Sequence, residues 1–203
     1  MKIVLSLNNR ERLYDYISMG IDTFILGGKY SFHCPYVFSL DEMTKIIANY
    51  PEQIFYVAMN ALYDQHTMSE VESYIEQLSQ LPIQGIIFQD FGVLQIVKER
   101  GYTFDMMYAP ETLNTNAMTL NVLQEQGVTS AFLSRVIPLD EQCQIAQEVH
   151  IPVMLQGHGV EYIAASKRAL LSNYKEASGL NLDISQNNDF KLLAKNSDYV
   201  FNI

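Results

Sequence analysis

A chain of 203 residues, 48% of them hydrophobic, can bury one substantial core, or one core with an appendage. Its net charge of −10 excludes the usual basic, free-standing nucleic-acid binder, because phosphate neutralisation dominates that kind of affinity. Apolar runs such as Ile86–Phe88 and Ala131–Leu133 fall far short of the roughly 20 residues that span a bilayer, and MKIVLSLNN lacks a signal-peptide core, so a cytoplasmic protein is expected.

Short apolar runs alternate with amphipathic stretches along the chain. Strands are expected at Lys2–Ser6, Thr23–Gly27, Phe55–Asn60, Gly85–Gln89, Asp105–Ala109, Ser130–Ser134 and Pro152–Gln156. Several are apolar at consecutive positions, as suits parallel strands buried on both faces. Helices are expected near Arg10–Met19, Leu40–Asn49, Met68–Leu81, Gly92–Arg100, Thr115–Gln126 and Leu139–Val149. Ser39 is a good N-cap ahead of Asp41 and Glu42, and Thr67 with Glu70 spells a capping box. Gly20, Gly101 and Gly127 stand where helices end and strands follow, positions that ask for a positive φ.

Seven strands in series, alternating with helices and without a dinucleotide fingerprint, point to an α/β fold of the (β/α) TIM-like barrel type. The chain is short for eight full units, so the barrel is expected to be incomplete or truncated. The domain reading is a barrel over 1–174 and a C-terminal segment over 175–203, where Ser, Asn and Gln rise and Tyr199–Ile203 resembles a last strand. That segment reads as the start of a longer tail.

In such folds the site gathers where strands end. The polar residues at those points include Asn60, Gln89, Asp90, Glu111, Thr112, Ser134, Arg135, Gln156 and His158. Gly27-Gly28 serves as a tight turn, and Asn60 and Asp90 serve either as helix caps or as site groups. Arg135 reads either as an anion clamp or as the partner of Glu111. His158, between two glycines, reads as a titratable site group or as structural. Lys167 and Arg168, followed by Asn173 and Tyr174, form either a solvated helix face or an anion-binding segment. Cys34 and Cys143 lie in no metal-ligand spacing.

The series DTFILGGKYSF, FYVAMNALY, GIIFQDFGVL, ETLNTNA, SAFLSRVIPLDE and QGHGVEYIAASKRALLSNY resembles the collagenase-like peptidase (U-32) family. The likeness is nearest to its shorter bacterial members implicated in tRNA 5-hydroxyuridine formation. The resemblance implies a barrel and one of two activities. The first is a part in oxygen-independent, prephenate-dependent hydroxylation of the tRNA wobble uridine. The second is peptide hydrolysis. A third role, non-catalytic partner of a cluster-bearing relative, stands beside them.

Within that reading His158, Glu111 and Asn60 are candidate catalytic groups. Arg135, Lys167, Arg168, Asn173 and Tyr174 are candidate substrate-binding groups, with prephenate as co-substrate. Many family members hold an iron–sulfur cluster through cysteines after the His-Gly turn. Tyr162 and Ala169 occupy two of those positions here, so no cofactor is expected in this chain. The expected partners are a longer iron–sulfur-bearing family member, tRNA through that partner, and a second copy of the chain.

Overall fold

The computed structural model describes residues 2–32, 34–111, 113–159, 169–184, 191–193 and 200–202. The chain divides into two compact units, Met1–Tyr162 and Ile163–Ile203.

In the first unit seven strands run in parallel: β1 (Val4–Ser6), β2 (Thr23–Gly27), β3 (Ile54–Met59), β4 (Gly85–Phe88), β5 (Asp105–Tyr108), β6 (Ser130–Phe132) and β7 (Val153–Met154). Six α-helices alternate with them: α1 (Leu13–Ser18, behind a 3-10 turn at Arg10–Arg12), α2 (Leu40–Asn49), α3 (Met68–Leu78), α4 (Phe91–Arg100), α5 (Ala117–Glu125) and α6 (Leu139–Glu148). The strands pair strictly in chain order, β1 to β7. Right-handed crossovers that always step the same way put every helix on one face, so the sheet curls about the other. A doubly wound sheet reverses its order at a switch point; this one does not. The result is an incomplete TIM-like barrel with β1 and β7 as its outer strands.

Alternation along the strands divides the apolar residues into two layers. Leu5, Phe24, Leu26, Phe55, Val57, Ile86, Phe88, Met106 and Ala131 point outward under the helices and join the main core. Ile25, Ala58, Ile87, Met107 and Ala109 form a separate inner layer, with Val4, Phe132 and Met154 against it. The expected β2 and α2 match the observed limits, β3 keeps its length but starts and ends one residue earlier, and the other strands are one to three residues shorter than expected.

The helix ends follow local chemistry. Ser39 and Glu42 make a reciprocal capping box on α2. The expected Thr67–Glu70 box is absent: Thr67 is helical, and its hydroxyl donates to Asp64 Oδ1 at 2.7 Å instead of capping α3. Gly20, Gly101 and Gly127 all take positive φ, as expected.

The second unit contains α7 (Leu170–Ser178), closed by Gly179 at φ 66, and an antiparallel pair, β8 (Lys191–Leu193) with β9 (Val200–Asn202). The expected final strand is β9. Among the described residues no helix is long and apolar enough to cross a membrane.

Candidate functional site

Glu111 follows β5 and Arg135 follows β6, and the two meet where the strands end. Arg135 Nη2 donates to Glu111 Oε2 at 2.9 Å. The Glu111 side chain is 11% exposed and that of Arg135 27%. Of the two readings of Arg135, partner of Glu111 is therefore realised, and the ion pair spends only one edge of the guanidinium. Arg135 Nη1 is buried and has no hydrogen-bond partner among the described residues. A buried charged donor left unmet costs more than an ordinary hydrogen bond contributes, so this N–H is poised for an acceptor.

Arg135 also lines a cavity of about 230 Å³ with Gln156, Gly157, His158 and Gly159, the turn after β7. That volume admits a single small polar or anionic group and is below the roughly 300–1,000 Å³ of drug-sized pockets. His158 is exposed at its edge. Gly159 takes φ 135, and a Cβ there would come within 3.1 Å of the Gln156 amide nitrogen, so the turn admits little else.

The two loops carrying the ion pair are fastened together by Asn114. Its Nδ2 donates to the Phe132 carbonyl at 2.9 Å, and its own carbonyl accepts from Ser134 N at 3.3 Å. Asn114 is 3% exposed and sits at φ 66, a conformation asparagine tolerates better than most residues. Sequence reasoning did not single it out. The available signal was the density of hydrogen-bonding side chains from Glu111 to Asn116, of which Asn116 caps α5 through Thr119 N at 2.9 Å.

Cys34, in the turn between β2 and α2, packs on the inner layer. Burial pushes its thiol pKa up, a hydrogen bond with Ser31 opposes this, and the Glu111 charge adds to the rise. The group is a protonated thiol near neutral pH and a weak nucleophile.

Other expected site groups hold the scaffold. Asn60 accepts from Phe32 N at 2.9 Å and donates to Phe32 O at 3.1 Å, so its amide clamps the β2–α2 turn instead of capping a helix. Asp90 is a cap: one oxygen accepts from Gly92 N at 2.8 Å and the other from Tyr63 N at 3.1 Å. Burial, then the Asp90 charge, pushes the Tyr63 phenol well above its ordinary pKa. Gly27 and Gly28 are needed for close approach, because a Cβ would meet Tyr36 O at 2.2 Å and Ala58 O at 2.8 Å respectively.

Thr112, Tyr162, Lys167 and Arg168 lie outside the described residues. Asn173 and Tyr174 are exposed on α7 of the second unit, which Ala169 immediately precedes. The structure thus brings Glu111, Arg135 and His158 to one mouth and assigns Asn60 to its framework. The thiols do not fit an iron–sulfur cluster: Cys34 is partly buried in a loop and Cys143 is exposed on α6. Among the described residues no group of three or more His, Cys, Asp or Glu is placed to hold a metal ion.

Comparison with known proteins agrees with this architecture. The chain is 28% identical to tRNA hydroxylation protein P2 of Bacillus subtilis (strain 168) over 173 residues, 84% of this chain and 56% of the relative. It is 26% identical to tRNA hydroxylation protein P of Haemophilus influenzae over 121 residues, 59% of this chain and 26% of the relative. The chain therefore spans about half the length of these curated relatives, or less. Among solved structures, a U32 peptidase superposes with a TM-score of 0.65 at 11% identity, covering 93% of this chain and 82% of its own, which speaks to the fold. The model of peptidase family U32 matches residues 8–187, and with that span the chain belongs to peptidase family U32.

Proposed function

We propose that this chain is a component of a tRNA hydroxylation system. The observation that carries the reading is the similarity, over 84% of the chain, to a protein bearing that name. In its finer form the reaction is oxygen-independent hydroxylation of the wobble uridine to 5-hydroxyuridine, with prephenate as oxygen donor. Exchanging C5–H for C5–OH is a two-electron oxidation of the base, so the oxygen donor must leave reduced.

The mouth supports a carboxylate-bearing donor. Arg135 Nη1 offers a buried, charged N–H, and a carboxylate oxygen completes it with a strong hydrogen bond. Glu111 holds Nη2 and so fixes the plane of the guanidinium. Because its carboxylate is already engaged, its role is to orient Arg135 rather than to abstract a proton. His158 is exposed beside the same cavity, and in this reading it is the group that exchanges a proton with the bound molecule. Contacts to the acidic RNA backbone come from a partner, such as a longer iron–sulfur-bearing family member, because this chain carries ten more acids than bases. Peptide hydrolysis is less well supported, since Glu111 is tied to Arg135 and the Cys34 thiol is kept protonated.

The test is mass spectrometry of tRNA nucleosides from cells lacking the gene and from complemented cells. Deletion should remove 5-hydroxyuridine and its derivatives, and the wild-type gene should restore them. Arg135→Ala should lower the restored level about tenfold or more, the scale of a lost charged hydrogen bond. Unchanged nucleosides on deletion, with no second pathway in the strain, would overturn the reading.

A further inference from the structure

Seven buried side-chain atoms have no hydrogen-bond partner among the described residues, and three of them fall in one place. Asn114 Oδ1 and Ser134 Oγ belong to residues only 3% and 1% exposed, and Arg135 Nη1 carries the one charge of the seven. The other four sit on neutral residues that are only partly buried. The three share a zipper between the β5–α5 and β6–α6 loops. Arg135 closes on Glu111, Asn114 Nδ2 on Phe132 O, and Ser134 N on Asn114 O. Phe132 lies against the inner layer and Leu133 turns into the main core, so alternation puts Ser134 on the inner side, at the mouth. Its hydroxyl follows the apolar lining of the barrel where the site begins.

Native structures pair nearly all buried polar atoms, so orphans gathered at a site mark an occupant. We infer that Ser134 is a specificity residue: its Oγ takes a hydroxyl of the molecule whose carboxylate Arg135 Nη1 takes, and the site selects hydroxy acids. The inference rests on the carboxylate reading of Arg135 and goes beyond it. One incoming hydroxyl answers two orphaned atoms. It donates to Ser134 Oγ, and the serine O–H turns to Asn114 Oδ1, so Asn114 acts through Ser134 and does not touch the ligand. Ser134 and Arg135 are consecutive, which suits a small acid whose hydroxyl and carboxylate are a few bonds apart, and the cavity of about 230 Å³ beside Arg135 holds one. Both atoms are closed to bulk water, and entry requires the two zippered loops to ease apart. An acid without the hydroxyl leaves Ser134 unmet, and a site built to pair a hydroxyl rejects the analogue that lacks it.

The test is NMR titration of the full chain with propionate, lactate and 3-hydroxypropionate, acids of one skeleton that differ in the hydroxyl, at ionic strength held constant with chloride. At least one hydroxy acid should bind about tenfold tighter than propionate, the scale of one hydrogen bond made or missed. Ser134→Ala should bring that affinity down to the propionate level and leave propionate itself unchanged. It should also keep or raise the melting midpoint, because an unpaired buried hydroxyl holds nothing in place. Equal binding of all three acids by wild type would overturn the inference and leave Ser134 to an ordered water. So would a preference that survives Ser134→Ala, or a Ser134→Ala protein that melts lower, which would give the hydroxyl a structural partner. Binding of none of the three would instead remove the carboxylate reading of Arg135, and this inference with it.

Discussion

Asn114 shows how one residue can hold a site together without belonging to it. Its side-chain N–H closes on Phe132 O, its carbonyl takes Ser134 N, and its φ of 66 turns the chain between them. Alanine would lose the side-chain bond and also bear the left-handed strain, costing about 2 kcal/mol. Glycine would lose the bond but accept the conformation, costing about 1 kcal/mol. Urea unfolding should therefore rank wild type above Asn114→Gly, and Asn114→Gly above Asn114→Ala. Equal losses in the two variants would show that φ does not matter there. The importance of this position was only partly legible in the sequence. The polar run after β5 was visible, but which asparagine caps the helix and which fastens the loops depends on backbone φ. Asn60 is similar: its position at a strand end was readable, while its partner, the backbone of Phe32, is 28 residues away. Arg135 was legible down to two alternatives, and the observed geometry realises the pairing with Glu111 through one edge of the guanidinium.

Among the elements, β4 depends on a residue with no side chain. Gly85 lies in register between Tyr56 of β3 and Asp105 of β5. Its bare Cα lets the flanking side chains meet across it, and the Tyr56 hydroxyl donates to Asp105 Oδ2 at 3.2 Å. An added Cβ would come within 2.1 Å of the Asp105 carbonyl oxygen, a backbone atom that cannot swing away. Gly85→Ala should thus force β4 and β5 apart and cost about 3 kcal/mol or more, whereas Tyr56→Phe loses one hydrogen bond and about 1 kcal/mol. Thermal or denaturant unfolding of the two variants checks the order, and a Gly85→Ala protein as stable as Tyr56→Phe would refute the steric account. Strands and helices were legible here because period-2 and period-3.6 patterns are local. Their ends were less so: β6 stops at Phe132 because its ladder partner β7 is only two residues long, a non-local fact. The Thr67 box failed for a related reason, since Asp64 competes successfully for the threonine hydroxyl.

At the scale of the molecule, strand order, layer division and net charge act together. The sequential order of seven strands collects the loops at one mouth, and the inner layer closes beneath it. The balance of 23 acidic to 13 basic residues then sets how the molecule would meet a polyanion. Arg135, the cation identified at the mouth, is already compensated by Glu111. Phosphate contacts drive non-specific binding, and each adds about 0.7–0.9 to the slope of log affinity against log salt. A chain with ten more acidic than basic residues, and with Arg135 the described mouth cation already paired, should bind a tRNA anticodon stem-loop more weakly than about 10⁻⁴ M at physiological salt. Its salt slope should be no steeper than about 2, against roughly 6–10 phosphate contacts for a dedicated binder. Fluorescence anisotropy of a labelled stem-loop, titrated with purified chain at several salt concentrations, measures both quantities. Weak, shallow binding would place the RNA contacts of the proposed hydroxylation on a partner. Micromolar binding with a steep slope would show instead that cations of this chain suffice, and the role assigned to the partner would fall.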